Sequence, residues 1–105
     1  MSDVVDKQFV DIAINIAVSH HEHWDGSGYP NKLRGEEIPL CARIVTIADV
    51  FDAMTSKRSY KEQFSIEDTI KIMEQDKGKI FDPVLLEAFT SDIEGLSKIC
   101  KSFTE

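Results

Sequence analysis

Apolar residues recur at intervals of three and four over residues 4–19, a spacing that predicts an amphipathic helix. The apolar stripe of this helix consists of Phe9, Ile12, Ala13, Ile16 and Ala17. His20 follows Ala17 by three positions and His21 follows it by four, so both imidazoles continue the same face. We therefore expect both histidines to point inward from the end of the first helix.

A second helix is predicted from Pro39, which suits a first helical position, to about Met54. Its residues are apolar nearly all round, a pattern typical of a helix that is buried on most sides. The polar exceptions are spaced by three and form one narrow stripe: Arg43, Thr46, Asp49 and Asp52. A carboxylate inside a buried helix is costly unless a metal ion, an arginine or backbone N–H groups compensate it. The pattern thus indicates that Asp49 or Asp52 takes part in chemistry.

The rest of the chain contains further helix signals and one long loop, without strand-like alternation. Residues 24–38 lack a sustained period and predict an irregular loop with tight turns at Gly26, Gly28 and Gly35. Further helix boundaries are marked by a Ser65–Asp68 capping box, a stop at Gly78 and an Asp82-Pro83 start. The apolar faces are Ile66, Ile70 and Met73, then Leu85, Leu86 and Phe89, and last Ile93, Leu96, Ile99 and Phe103. We expect an all-α fold of four to five helices.

Composition narrows the classes of function. The chain has 105 residues, 42% of them apolar and 30% charged, as expected for one soluble domain or part of one. No apolar run approaches the roughly 20 residues of a membrane span. The N-terminus has no signal-peptide pattern, so a cytoplasmic protein without a membrane partner is expected. The net charge of −7 argues against DNA or RNA as a partner, whereas the basic segment 57–61 could bind a small phosphorylated ligand.

The few cysteines and histidines limit the possible metal sites. Cys41 and Cys100 belong to no Cys-x-x-Cys motif and lie among aliphatic residues, which favours buried, inert thiols. The alternatives are a disulfide, or a zinc site formed by Cys41 with His20 and His21. All three histidines lie between His20 and His23, and a histidine-rich divalent site usually requires more protein ligands than this segment supplies.

The strongest signal is the run His20-His21-Glu22-x-x-Asp25-Gly26-x-Gly28-Tyr29-Pro30. Two adjacent imidazoles can present metal-binding nitrogens to one cavity. This run resembles the signature of HD-GYP domains, a branch of the HD phosphohydrolase superfamily. The match covers most of residues 10–90 in the family's order and spacing. It continues through Leu33-x-Gly35, Ile38-Pro39, Ala42-Arg43-Ile44, Ile47-Ala48-Asp49-x-Phe51-Asp52-Ala53, Arg58-x-Tyr60-Lys61 and Gly78-x-x-Phe81-Asp82-Pro83.

The resemblance implies an HD-domain-like helical bundle that hydrolyses cyclic di-GMP, or a related cyclic dinucleotide, with iron or manganese ions. Imidazole and carboxylate ligands suit such first-row divalent ions. The residues it implies are the metal ligands His20, His21 and Asp49, and the phosphate contacts Arg58 and Lys61. The signature loop helps shape the site in this family and has been linked to contacts with partner proteins. Its residues here are Asp25, Gly26, Gly28, Tyr29 and Pro30.

The roles of Asp52 and Glu22, which lie next to these positions, stay open at this point, whereas one role is favoured for Trp24. Asp52 either supports the metal ligands or pairs with Arg43 or with a helix end. Glu22 either supports the ligands or is simply exposed. Trp24 is expected to anchor the loop against the core rather than to stack on a base.

The chain departs from the family's pattern before His20, since it has no His-Asp dipeptide and no earlier histidine. We therefore expect residues 1–105 to be the C-terminal portion of a single HD-GYP domain. Alone, this portion should bind metal weakly, with occupancy left open, and should not hydrolyse the dinucleotide. The alternative is a non-catalytic, degenerate module for protein interaction or ligand sensing. Apolar surface left without partner helices also predicts self-association.

Overall fold

The computed structural model describes residues 6–56, 63–92, 94–95 and 98. Its α-helices are α1 (Lys7–Ser19), α2 (Leu40–Thr55), α3 (Ile66–Gln75) and α4 (Pro83–Thr90), with a 3-10 helix at Gly35–Glu37. Within these described residues there are isolated β-bridges but no β-strand. The predicted all-α fold is therefore confirmed. In the same part of the chain, no helix has both the length and the apolar character needed to cross a bilayer.

Side-chain caps define where three of the helices begin. Asp6 accepts a hydrogen bond from the Gln8 N–H at 2.7 Å and so caps α1. Ser65 accepts from the Asp68 N–H at 3.0 Å, and Asp82 Oδ1 accepts from the first turn of α4, as the sequence predicts. Pro39 lies one residue before the first helical residue of α2 rather than at it.

The core lies where α2 meets α3 and α4. Its fully or almost fully buried side chains are Ile47, Phe51, Met73, Phe81 and Leu86. The predicted inner faces of α3 and α4 are confirmed, since Ile70, Met73 and Leu86 are buried. The ring of Phe89 completes this contact by packing edge-on against Phe51, with 5.2 Å between the ring centroids.

Two burial predictions are wrong. Most of the apolar stripe of α1 is exposed, with Phe9 at 64% and Ile12 at 42%, because among the described helices α1 packs mainly against α2. Helix α2 is likewise not buried on most sides, since its Ile44 is 49% exposed. Asp49 and Asp52 are both exposed, so water solvates carboxylates that the sequence pattern placed in a buried helix.

Some predicted features lie outside the described residues. These are the phosphate contacts Arg58 and Lys61, the second cysteine Cys100, and the apolar positions Ile93, Leu96, Ile99 and Phe103 of the last predicted helix.

Candidate functional site

His20 is the residue that ends α1, and its ring orientation is fixed by the helix itself. Its Nδ1 lies 2.9 Å from the carbonyl oxygen of Ile16. Because a carbonyl oxygen can only accept, Nδ1 must carry the hydrogen. In the neutral imidazole, the remaining nitrogen, Nε2, then keeps its lone pair, which is the tautomer that a metal-binding histidine needs.

His21 lies beside His20 at the same end of α1. The two ring centroids are 3.9 Å apart with an interplanar angle of 41°. On its other side, the ring of His21 stacks on Tyr29, with centroids 4.8 Å apart and an angle of 15°. His20 is half-buried and His21 is exposed, so the prediction that both point inward holds only in part.

Asp49 lies on α2, one helical turn after Thr46, which contacts the end of α1. The Thr46 hydroxyl lies 3.0 Å from the His20 carbonyl oxygen and 2.9 Å from that of Ala42, and it can donate to either. Asp49 follows Thr46 by three residues and therefore lies one turn further along the same side of α2. The predicted ligands thus lie on two elements that Thr46 connects, but the side chains of His20, His21 and Asp49 do not come together as a metal site in the described part of the chain.

These residues supply part of a ligand set. Within the described residues, no three side chains of histidine, cysteine, aspartate or glutamate come close enough to hold a metal ion together. This finding applies equally to the predicted set His20, His21 and Asp49 and to the alternative zinc set Cys41, His20 and His21. Cys41 is half-buried, and its sulfur lies 4.0 Å from the Ile12 carbonyl oxygen. The donor chemistry fits a divalent metal, but further ligands would be required.

Glu22 is the residue whose importance the sequence did not reveal. It is only 2% exposed, although it directly follows an exposed histidine. Its two carboxylate oxygens accept the backbone N–H groups of Asn31 at 2.7 Å and Leu33 at 2.8 Å. Glu22 therefore binds the far side of the signature loop to the end of α1. A glutamate fixed between two histidines and a glycine-rich loop was the available signal.

Gly28 brings the loop back onto the backbone of the histidine segment. A Cβ at this position would collide with the His21 carbonyl oxygen and with backbone atoms of Glu22 and His23. The next N–H, that of Tyr29, donates to the His21 carbonyl at 3.1 Å. Gly28 is thus needed for close approach, whereas the predicted turns at Gly26 and Gly35 have φ values of +85° and +58°.

Asp25 organises the first turn of the loop. Its Oδ1 accepts the Ser27 N–H at 2.9 Å. Hydrogen bonds from the side chain and backbone of Ser27 hold the pKa of the Asp25 carboxyl below its ordinary value of 3.8, and the charges of His23 and Arg34 lower it slightly further. Pro30, the last residue of the predicted signature, is exposed and follows a cis peptide bond.

Trp24 anchors the loop to the segment before α4, as expected. The backbone N–H of Trp24 donates to the Ile80 carbonyl at 3.2 Å. The backbone N–H of Asp25 donates to the Lys79 carbonyl at 2.9 Å. The Trp24 carbonyl accepts the Gly35 N–H at 2.9 Å. The loop is therefore held at both of its sides by backbone hydrogen bonds.

Arg43 connects the loop, α2 and α4. Its Nη1 donates to Asp82 Oδ2 at 2.7 Å, its Nε donates to the Ile38 carbonyl at 2.9 Å, and its guanidinium carbon lies 5.9 Å from the Trp24 ring centroid. Of the interpretations left open for Asp52, a pairing with Arg43 is wrong, because Arg43 pairs with Asp82. Asp52 instead accepts a hydrogen bond from Ser56 at 2.9 Å, next to the end of α2.

Known proteins resemble this chain over most of its length, including the residues of the candidate site. A family model described as HD domain matches residues 3–85. A probable cyclic di-GMP phosphodiesterase of Vibrio cholerae is 43% identical over 96 residues, which cover 91% of this chain and 22% of that protein. The 3'3'-cGAMP-specific phosphodiesterase 2 of the same organism is 48% identical over 81 residues, covering 77% and 16%.

A solved structure supports the same relationship. The crystal structure of a cyclic GMP-AMP specific phosphodiesterase of Vibrio cholerae aligns with a TM-score of 0.60 at 33% identity. The alignment covers 84% of this chain and 21% of that one. The chain therefore spans about a fifth of the length of these relatives.

Proposed function

The chain belongs to the HD domain family, which confirms the resemblance seen in its signature, and from this premise we propose that it forms part of a metal-dependent cyclic dinucleotide phosphodiesterase. The observation that carries the proposal is the contact of His20 Nδ1 with the Ile16 carbonyl, which in the neutral ring selects the metal-binding tautomer. The Nδ1–H of His20 donates to the Ile16 carbonyl at 2.9 Å, which leaves Nε2 free to bind a metal next to the ring of His21.

We assign three side chains of this chain to the metal. His20 would bind through Nε2, His21 would bind beside it, and Asp49 would contribute a carboxylate from α2. These three described side chains do not by themselves come together as a metal site. A divalent iron or manganese ion bound there would lower the pKa of a water ligand and polarise the phosphodiester. The Thr46 hydroxyl, 3.0 Å from the His20 carbonyl oxygen, can link the two elements by donating to it. The remaining ligands would come from residues other than these three.

The substrate is proposed from the chemistry of the relatives and of the chain. The relatives are named for cyclic di-GMP and for 3'3'-cGAMP, both cyclic dinucleotides with two phosphodiesters. Arg58 and Lys61 are the cations that we assign to the phosphates. In a chain of net charge −7, a local pair of this kind suits a small phosphorylated ligand better than a nucleic acid. A bacterial cytoplasm is the setting that we propose for this activity.

A metal titration tests the ligand assignment. We expect manganese(II) to broaden the NMR signals of His20, His21 and Asp49 in the 105-residue chain, with weak affinity, and to leave α3 sharp. His21→Ala should reduce this broadening, whereas His23→Ala should preserve it, because His23 Nδ1 instead lies 3.0 Å from the Ser27 hydroxyl oxygen. Broadening confined to acidic surface residues elsewhere would overturn the assignment.

A turnover assay tests the activity. The purified chain is incubated with manganese(II) and cyclic di-GMP, and linear products are separated by chromatography. We expect no hydrolysis by the chain alone, because the described residues supply only part of a ligand set. Clear turnover that is lost in His21→Ala would show that the expected incompleteness is wrong and would support the phosphodiesterase activity directly.

A non-catalytic module that recruits a partner is the second candidate. It is favoured by the exposure of Tyr29, which presents 58% of its surface to solvent at the tip of the signature loop. For this candidate, Tyr29→Ser should abolish capture of a partner while His21→Ala leaves it intact. If Tyr29→Ser and His21→Ala reduce capture of the partner to the same extent, the metal site is favoured instead.

A further inference from the structure

We propose that Glu22 is a positioning residue for His21. Its buried carboxylate closes the signature loop so that the ring of Tyr29 is held on the imidazole of His21. The proposal rests on the proposed function in one respect, namely that His21 serves as a metal ligand. The positioning itself is a property of the metal-free protein.

The first observation is the environment of the carboxylate. Glu22 is 2% exposed, and a buried carboxylate is costly unless hydrogen bonds compensate it. Both of its oxygens are used, one by the Asn31 N–H at 2.7 Å and the other by the Leu33 N–H at 2.8 Å. Hydrogen bonds to a charged group are stronger than those between neutral groups. Glu22 therefore holds residues 31–33 firmly against the end of α1.

The second observation is that the loop is short between this anchor and His21. Tyr29 lies two residues before Asn31, and its N–H donates to the His21 carbonyl at 3.1 Å. Gly28, one residue earlier, has its backbone against the backbone of residues 21–23, where a Cβ would not fit. The backbone on both sides of Tyr29 is thus fixed by the segment that carries His21 and Glu22.

The third observation is the contact between the rings. The Tyr29 ring lies nearly parallel to the His21 imidazole, 15° apart at a centroid distance of 4.8 Å, and His20 lies on the other side at 3.9 Å. His21 is exposed, and in the described part of the chain these two ring contacts restrict its side chain. Loss of the Glu22 anchor would release Tyr29 and with it one of these two restraints.

The test compares NMR signals of the His21 ring in metal-free wild type and variants. A stacked tyrosine ring shifts the carbon-bound protons of His21 upfield. Tyr29→Leu should abolish this shift, and Glu22→Ala should remove most of it. Glu22→Gln should be intermediate, because the amide oxygen can accept one of the two N–H groups while its NH2 faces the other. The control Glu36→Gln, at an exposed glutamate of the 3-10 helix, should leave the shift unchanged.

A second measurement connects the positioning to the metal. We expect the manganese(II) affinity of Glu22→Ala to fall by about 10- to 100-fold, as is typical when a residue that orients a ligand is removed. If Glu22 only stabilises the fold, the melting temperature of the variant falls but the His21 ring shift persists in the folded protein, and the proposal is overturned. If Glu22→Ala does not fold, the ring shift of Glu22→Gln decides by the same criterion.

The two measurements also separate this inference from the proposed function. A wild-type chain that shows the ring shift but binds no manganese(II) would contradict the metal assignment and still support the positioning by Glu22. A chain that binds manganese(II) with a ring shift insensitive to Glu22→Ala would support the assignment and overturn the positioning.

Discussion

Among substitutions that break an ion pair of the described residues, Arg43→Met is expected to lower the free energy of unfolding most. The Arg43–Asp82 pair is nearly buried, with side-chain exposures of 15% and 5%, and the N–O distance is 2.7 Å. Arg43→Met leaves the Asp82 carboxylate buried without its cation. Removal of one partner of a buried pair costs about 3–5 kcal/mol. Methionine keeps part of the apolar stem, so most of this loss would come from the charge.

The magnitude can be separated from other effects of the substitution by a double-mutant cycle. In Arg43→Met/Asp82→Asn, the asparagine oxygen can still accept the N–H groups of Val84 and Leu85, which Asp82 caps at 2.9 and 3.2 Å. No unpaired charge remains in that variant. We therefore expect it to be more stable than Arg43→Met alone, with a coupling energy of at least about 1 kcal/mol.

The assay is urea unfolding followed by circular dichroism, with a matched control at the surface. Lys77 and Glu87 form an exposed pair at 3.3 Å, with side-chain exposures of 36% and 76%. Lys77→Met should cost no more than about 1 kcal/mol, because water screens such a pair. If Arg43→Met costs no more than Lys77→Met, the conclusion that Arg43 joins the loop to α2 and α4 is refuted. If Arg43→Met does not fold, the free energies of unfolding of Asp82→Asn and Arg43→Lys are compared with that of Lys77→Met instead.

Three further predictions concern the loop and the core. Gly28→Ala should lower the melting temperature more than Gly35→Ala, because a Cβ at Gly28 would collide with backbone, whereas at Gly35 it adds the strain of a φ of +58° but lies 4.0 Å from Trp24; equal effects would contradict the close approach. The stability that Asp25 adds through its lowered pKa should be present above pH 3.8 and lost as the pH falls through the lower pKa of the folded protein. The melting temperatures of wild type and Asp25→Asn should therefore converge in acid. A difference in melting temperature that does not change with pH would exclude this contribution. Leu86→Ala should cost about 2–5 kcal/mol in urea unfolding, since Leu86 is fully buried, whereas Val84→Ala, at a side chain 75% exposed, should cost under about 0.5 kcal/mol.

Local signals in the sequence predicted the helices well, because the groups that start and stop a helix are neighbours along the chain. The capping residues Ser65 and Asp82 lie within three residues of the N–H groups that they accept. Gly78 adopts a φ of +81°, as predicted, although α3 already ends at Gln75. Such contacts need no knowledge of the tertiary structure.

Burial was predicted less well, because an apolar pattern states that a face favours contact without stating which partner provides it. The stripe of α1 that includes Phe9 and Ile12 has the spacing of a buried face and is nevertheless exposed. The self-association expected from such a surface stays a prediction. The polar stripe of α2 was also interpreted as one buried unit, whereas Arg43 is mostly buried and Asp49 is exposed. Residues on one face of a helix can therefore have separate environments when the helix extends beyond its neighbours.

The candidate site shows why a sequence signature says more about family than about the role of each residue. Of the matched positions, His20, His21 and Asp49 are those predicted to bind a metal, and this prediction rests on residue type and on the resemblance. Glu22, Gly28 and Asp82 instead hold backbone segments at fixed distances, through two loop N–H groups, a missing Cβ and a helix cap.

These structural residues act across the loop rather than along it. Glu22 reaches 9 and 11 residues ahead, and Arg43 reaches 39 residues to Asp82. Contacts of this range have no local sequence spacing, so only the folded structure could reveal them. They also explain how an exposed imidazole can be restrained without being buried. His21 stays exposed because its proposed restraint comes from a loop anchored at the buried Glu22, not from packing around the ring itself.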